Sequence, residues 1–366
     1  MPKPSVLQIG PDPVRSQGGM ATVIGNICSH ERLNERFSIN LWPSFRSGNI
    51  VARFVFSESK LLSFRLQRPT FDVYHVHVAA GRSLWRKLAY IESLKERSKR
   101  AILHVHSSTF DTFFDSCSHL QQARIRKCLS AVGRVVVLSE EWERFFLDRK
   151  ICEERLIKVL HNAVSIPCVP TANYQSSEVL FLGRLGERKS PSTLIQAAAV
   201  VIRSHPNAMF HFAGDGDATP YIKLSDSLGI SAHCIFHGWT QADEKDRLLT
   251  RCSIHCLPSR HEGMPMSVLE TMAAGLVNVC TPVGGVPQVI DEGRNGYLVD
   301  VDDYQDLARA INALFDNREL LSAIGLYGRE TIIDRFGIDA YTGALSSLYT
   351  LLLGEESIAG MYGGLR

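Results

Sequence analysis

The chain has 366 residues, 45% of them apolar and 21% charged, the balance of a soluble globular protein with room for about two domains. No apolar run approaches the ~20 residues of a membrane helix, and the opening Met1-Pro2-Lys3-Pro4-Ser5-Val6-Leu7-Gln8-Ile9-Gly10 lacks a signal-peptide core. The net charge of +2 conceals a division: residues 1–170 carry 25 Lys and Arg against 15 Asp and Glu, and residues 171–366 carry 15 against 23. The first part is therefore expected to face something anionic. Nine cysteines with no Cys-x-x-Cys pair read as free thiols of a cytoplasmic protein.

Short β-branched runs alternate with amphipathic helical stretches, which predicts parallel sheets covered by helices. The first part offers strands at Val6–Ile9, Phe37–Leu41, Val73–Val78, Ile102–His106 and Val135–Leu138. After the first strand, Gly18-Gly19 opens a helix over Ala21–Cys28 and could bring bare amides against a phosphate or a sugar. A Gly-Gly pair is also an ordinary turn, and Gly-x-Gly-x-x-Gly is missing here. Two stretches set basic residues among apolar and aromatic ones. Arg46, Arg53, Lys60, Arg65 and Arg68 accompany Phe54, Val55, Phe56, Leu61, Leu62 and Phe64. Arg82 to Arg100 includes Trp85 and Tyr90. Both suit an interfacial helix on anionic lipid, or else a core-facing helix with a solvated basic face. Nucleic-acid binding is not expected, since no reading helix or stacking platform is present.

His104-Val105-His106 ends the fourth strand with both rings on one face, and His75-Val76-His77 repeats the spacing next door. Four histidines could hold zinc, but carboxylate or cysteine partners are lacking, and no metal is expected. His161–Ser177, with weak periodicity and Pro167 and Pro170, reads as a linker.

The second part offers strands at Val179–Leu182, Met209–Ala213, Cys234–His237, Ile254–Leu257 and Val277–Cys280. Gly183-Arg184-Leu185-Gly186-Glu187-Arg188-Lys189 closes the first of them. Arg184 can fork onto two phosphate oxygens and Lys189 adds a mobile point charge, unless both are simply solvated loop cations. Gly214-Asp215-Gly216-Asp217 tempts with a metal-binding Asp-x-Asp, but reads as a tight turn. Gly284-Gly285 reads as a turn as well. Between these lies His261-Glu262-Gly263-Met264-Pro265-Met266-Ser267-Val268-Leu269-Glu270, with one acid on a turn after a strand and a second about two helical turns on. Gly263 permits close approach of a ligand, Pro265 suits a first helical turn, and the helix start can hold an anion. A last helical run over Ile338–Leu353 precedes the tail Gly360-Met361-Tyr362-Gly363-Gly364.

Glu262 and Glu270, eight apart, with Arg184 and Lys189 upstream, resemble the signature of retaining family-4 (group 1) nucleotide-sugar glycosyltransferases of the bacterial surface-polysaccharide type. The resemblance implies the α/β GT-B fold: two Rossmann-like, doubly wound parallel-sheet domains with a cleft between them. It places an acceptor-binding domain at 1–165, a donor-binding domain at 166–337 and a helix crossing back toward the first domain at 338–366. It implies that Arg184 and Lys189 hold the diphosphate, Glu270 the ribose, Glu262 the transferred sugar, and Gly263, Met264 and Pro265 the donor through the helix start. Gly18, Gly19 and His106 would face the reacting sugar.

The implied activity is transfer of a sugar from a UDP- or GDP-linked donor to a hydroxyl of a lipid-linked or polysaccharide acceptor, with retention, no metal and no cofactor. Family members are thought to let the leaving phosphate deprotonate the acceptor, and domain closure would exclude water. The implied location is cytoplasmic, peripheral on the inner face of the plasma membrane through the basic first domain. A nucleotide-sugar epimerase or hydrolase of the same fold, or a non-catalytic nucleotide-sugar-binding membrane scaffold, would use many of the same residues. A glycosidase fits less well, because its two carboxylates must flank one bond.

Overall fold

A computed structural model describes residues 2–16 and 18–354. The chain divides into two compact units, one built from residues up to 162 and from 338 onward, the other from residues 163–337. In chain order, unit 1 runs β1 (Ser5–Pro11), α1 (Gly19–Ser29), α2 (Glu31–Arg36), β2 (Ser38–Phe45), α3 (Ile50–Gln67), β3 (Val73–Val78), α4 (Arg82–Leu94), β4 (Ala101–Val105), α5 (Phe110–Ser116), α6 (His119–Ala131), β5 (Arg134–Val137), α7 (Glu140–Asp148) and β6 (Ile157–Val159). Unit 2 runs β7 (Glu178–Leu182), α8 (Pro191–Ser204), β8 (Met209–Ala213), α9 (Thr219–Ser227), β9 (Cys234–Gly238), α10 (Ala242–Arg251), β10 (Ile254–Leu257), α11 (Met266–Ala274), β11 (Val277–Cys280), β12 (Tyr297–Leu298), α12 (Tyr304–Asp316) and α13 (Arg318–Arg335). The helix α14 (Ile338–Leu353) belongs to unit 1.

Each unit carries one six-stranded sheet, in the order β2-β1-β3-β4-β5-β6 in unit 1 and β12-β11-β10-β7-β8-β9 in unit 2. Every strand pairing is parallel. Helices cover parallel sheets on both faces, which is why β3 is buried at every position. The strand order reverses beside β1 in unit 1 and beside β7 in unit 2. Ligands of such sheets bind outside the carboxyl ends of the strands at that reversal, so the loops after β7 and β10 are the place to look in unit 2.

Ten strands fall where the apolar runs predict, with ends shifted by a few residues. The two others, β6 and β12, are edge strands of three and two residues, too short to carry an alternation pattern. The histidine His106 lies one residue past β4 and not inside it. The helix after Gly18 begins at Gly19 and ends at Ser29. Pro265 caps α11 from outside its first turn. The stretch expected as a linker packs on unit 2: the Thr171 and Ala172 amides donate to the Ala274 carbonyl, and Tyr174 Oη donates to the Gly275 carbonyl. The glycine-rich tail at 360–364 lies outside the described residues.

The two basic stretches part company. In α4, Tyr90 is fully buried and Lys87 is 1% exposed, its ammonium donating to Ser44 Oγ. This helix packs Leu84, Leu88, Ile91 and Leu94 into the core, so its aromatics are not a lipid-facing set. In α3 the opposite holds. Ser57, Leu61 and Phe64 face inward, while Val51, Val55, Leu62 and Leu66 are 58–75% exposed. Their spacing puts them on one outward stripe. No helix among the described residues is long and apolar enough to cross a membrane.

Candidate active site

In unit 2 the site is built from two loops braced by glycine turns. The loop after β7 is held by the Gly183 amide on the Ala213 carbonyl and the Leu185 amide on the Asp215 carbonyl. A Cβ on Gly214 would lie 1.9 Å from the Gly183 carbonyl oxygen, so the Gly-Asp-Gly turn acts as a brace against this loop. The loop after β10 is buried from Glu262 to Met266. Its brace is the turn after β11: Gly284 has φ +59°, its Cβ position lies 2.1 Å from the Glu262 carbonyl oxygen, and the Gly285 amide donates to the Gly263 carbonyl. Only glycine fits a positive φ at such close approach.

These braces bring three charges together. The Lys189 ammonium donates to Glu262 Oε1 at 2.5 Å, and Arg188 Nη1 lies 3.5 Å from Glu262 Oε2 while also donating to the His261 carbonyl at 2.8 Å. The Lys189 side chain is 12% exposed and that of Glu262 5%. Burial pulls the Lys189 ammonium below the usual lysine range, and the Glu262 carboxylate opposes that shift. Lys189 is thus a fixed, paired cation and not a mobile one. Arg184 differs, being 71% exposed with Asp215 3.8 Å from its Nε. Arg188 was not singled out by sequence reasoning. Its signal, a second cation beside Lys189, does not say which of the two turns toward the acid.

Glu270 sits within α11 and pairs with Lys245 of α10 at 3.2 Å. Lys245 too escaped notice, since nothing in the sequence links it to Glu270. Pro265 gives α11 no side-chain cap, so the first turn keeps amide donors without intrahelical partners. Gly263, Met264 and Pro265 form the approach to that turn. Beneath it, His255 Nδ1 lies 2.6 Å from Asn278 Oδ1, which also accepts from Thr271 Oγ1. Burial drives the His255 imidazole down to about 4.

The remaining sequence candidates lie in unit 1. Gly18 has φ 108° and no side chain caps α1 there. Both Gly18 and Gly19 are exposed. The His106 amide donates to the Val78 carbonyl, and its Nε2 lies 3.0 Å from His77 Nδ1. Burial drives the His106 imidazole down to about 3, so the ring is neutral. The structure therefore joins Glu262, Lys189, Gly263, Met264, Pro265 and, nearby, Arg184 and Glu270 in one unit. It places Gly18, Gly19 and His106 in the other.

Chemically, the unit 2 loops offer a buried carboxylate acceptor, cations on either side of it and a helix start without a side-chain cap, all at the carboxyl ends of adjacent strands. Such a set can take an anion and hydroxyls, and two parallel six-stranded sheets with flanking helices are the GT-B fold. HepE of Anabaena, solved in complex with UDP-glucose, is similar with a TM-score of 0.74 and 16% identity, over 95% of this chain and 99% of that one. Residues 169–331 match the model of the family described as glycosyl transferases group 1. Spore coat protein SA of Bacillus subtilis is 27% identical over 78% of this chain and 79% of its own length. The lipopolysaccharide core biosynthesis glycosyltransferase LpsE of Rhizobium meliloti is 32% identical over 46% of this chain. That match spans about half of LpsE, 48%.

Proposed function

We propose that the chain is a retaining glycosyltransferase that moves a sugar from a UDP- or GDP-sugar to a hydroxyl of a lipid-linked or polysaccharide acceptor in cell-envelope or exopolysaccharide synthesis. The observation that carries this reading is the buried Glu262 carboxylate held by Lys189 and Arg188 next to the start of α11, which no side chain caps. Glu262 accepts from hydroxyls of the transferred sugar, and Glu270 accepts from the ribose. Arg184 and the α11 amides take the diphosphate, with Lys189 adding its charge from behind Glu262. His106, Gly18 and Gly19 belong to unit 1, which takes the acceptor.

As the bond from the anomeric carbon to the phosphate oxygen breaks, its electron pair goes to that oxygen, and the cations and amides stabilise it. The acceptor oxygen bonds to the anomeric carbon from the same face and gives its proton to the departing phosphate. No protein nucleophile and no metal are needed. The reading agrees with what the names of HepE's complex and of LpsE say of those proteins. The test is product NMR after incubation with each nucleotide-sugar and candidate acceptors. Retention at the new bond is expected; inversion, or hydrolysis alone, would defeat it.

We place the enzyme on the cytoplasmic face of an anionic membrane. What supports this is α3, whose outward stripe Val51, Val55, Leu62 and Leu66 is accompanied by Phe54 at 63% exposure and by Arg53, Lys60 and Arg65 on the same helix. Each Lys or Arg near such a surface is worth about 1 kcal/mol. Co-sedimentation with phosphatidylglycerol vesicles is expected for the native chain and lost in the double variant Val55→Glu/Leu62→Glu. Equal pelleting of both, or of neither, would remove α3 from the membrane.

A further inference from the structure

Five residues other than glycine hold a positive φ among those described: Arg68, Lys95, Lys150, Ser190 and Asp302. The first three follow the ends of α3, α4 and α7, where a residue of positive φ commonly closes a helix. Ser190 and Asp302 stand instead just ahead of α8 and α12, with φ 48° and 64°. Such backbone is costly for a residue with a Cβ, and it persists where the surrounding structure over-determines it. These two strained residues are 112 positions apart in sequence, yet their side chains meet: Ser190 Oγ lies 3.3 Å from Asp302 Oδ1. The carboxylate only accepts, so Ser190 donates to it. Thr193 Oγ1, 2.9 Å from Ser190 Oγ, then donates to Ser190.

Asp302 reaches the Glu262 loop as well. Arg260 Nε donates to Asp302 Oδ1 at 3.0 Å and to Oδ2 at 3.1 Å, and the Arg260 amide donates to the Arg188 carbonyl at 2.8 Å. One carboxylate thus ties the residue after Lys189 to the residue two before Glu262. The Arg260 and Asp302 side chains are 42% and 48% exposed, and an ion pair so far out in water adds little stability. Ser190, by contrast, is buried. What these bonds supply is geometry: they fix where the two loops sit, and with them the Lys189 ammonium and the Glu262 carboxylate.

We propose that Asp302 is a positioning residue of the active site, which holds the loops after β7 and β10 in the arrangement that sets Lys189 against Glu262. It acts through Ser190 and Arg260 and not by contact with substrate. The proposal rests on the reading of this site as the one that transfers the sugar. Glycine at 302 would take up a φ of 64° without strain, but it has no carboxylate with which to join the loops. The strain at Ser190 and Asp302 is thus the local cost of a fixed site, of the kind that collects where chemistry needs preorganised groups.

Asp302→Gly in the full chain separates position from stability. Relief of the positive φ should leave Tm level or raise it, while kcat falls about tenfold or more, the scale of a small misplacement of reacting groups. Nucleoside-diphosphate affinity should stay unchanged, because Arg184 and the α11 amides are untouched. Asp302→Asn tolerates the same backbone and still accepts from Ser190 and Arg260, so it should restore most of the turnover. Hydrogen exchange gives a readout free of transfer: the Arg260 amide should exchange about tenfold or more faster in Asp302→Gly and at the native rate in Asp302→Asn, with α8 unchanged. Native exchange at Arg260 in Asp302→Gly, or native kcat, overturns the proposal. So does a Tm that falls in step with kcat and is not rescued by Asp302→Asn, the mark of a residue that only braces the fold. If the native chain transfers no sugar, the reading of the site fails, and exchange at Arg260 alone decides whether Asp302 joins the loops.

Discussion

Glu262 and Lys189 bury opposite charges against each other, and the arrangement makes removing either one costly. A charge left alone in such a place costs about 3–5 kcal/mol. Lys189→Ala is therefore expected to lower the denaturant-derived stability by about that much, because Glu262 stays buried with only Arg188 3.5 Å away. Arg184 is 71% exposed, so Arg184→Ala should leave stability within about 0.5 kcal/mol while weakening nucleotide-diphosphate binding about tenfold or more. Equal stability losses in the two variants would contradict the assignment. Glu262→Gln keeps the shape and should cut kcat about 10²-fold or more, the usual scale for losing one preorganised polar group. Unchanged turnover would remove Glu262 from the site. The acids were legible because their spacing survives any packing. Arg188 and Lys245 were not, since a side chain's direction depends on neighbours distant in sequence. Lys189 looked mobile for the same reason: its partner lies 73 residues away.

At the level of elements, the turn after β11 positions the Glu262 loop. Gly284→Ala would force a Cβ to 2.1 Å from the Glu262 carbonyl oxygen at φ +59°. Transfer should fall at least tenfold while far-UV circular dichroism stays native, and activity equal to wild type would show that the loop has slack. The sequence marked Gly284-Gly285 as a turn, but not what the turn presses on, since that contact joins two loops that the chain does not connect directly. In unit 1, α14 docks through Tyr349, whose hydroxyl links Gln8 and His75. Tyr349→Phe strands both groups in the core and should cost about 1–3 kcal/mol, read by chemical denaturation; a change under 0.5 kcal/mol would mean that the network bears no stability. The histidine alternation was legible as a face. Its closure by Gln8 and Tyr349 was not, because those residues come from opposite ends of the chain.

For the whole molecule, the buried neutral histidines set the acid limit. Burial holds His75 at about 3 and His255 at about 4, against 6.5 for an ordinary imidazole. The unfolded chain takes up protons below about 6.5 and the native chain refuses them, so stability is level above that pH and declines as pH falls toward the native values. Each such ring contributes about 1.4 kcal/mol per pH unit within the window. Tm is expected to fall steadily from pH 6.5 to 5, and a flat profile would show the rings charged or exposed. Two parallel sheets were legible from the alternation of apolar runs and helices, and the charge excess of the first part from its composition. Which basic helix turns its apolar residues outward emerged only from packing, since α3 and α4 read alike until burial divides them. If unit 2 holds a nucleoside diphosphate on the loops after β7 and β10, calorimetric titration with UDP and GDP will find one of them bound at a single site, with affinity about tenfold or more lower in Arg184→Ala. Binding of neither, or binding indifferent to Arg184→Ala and Glu270→Ala, would contradict it.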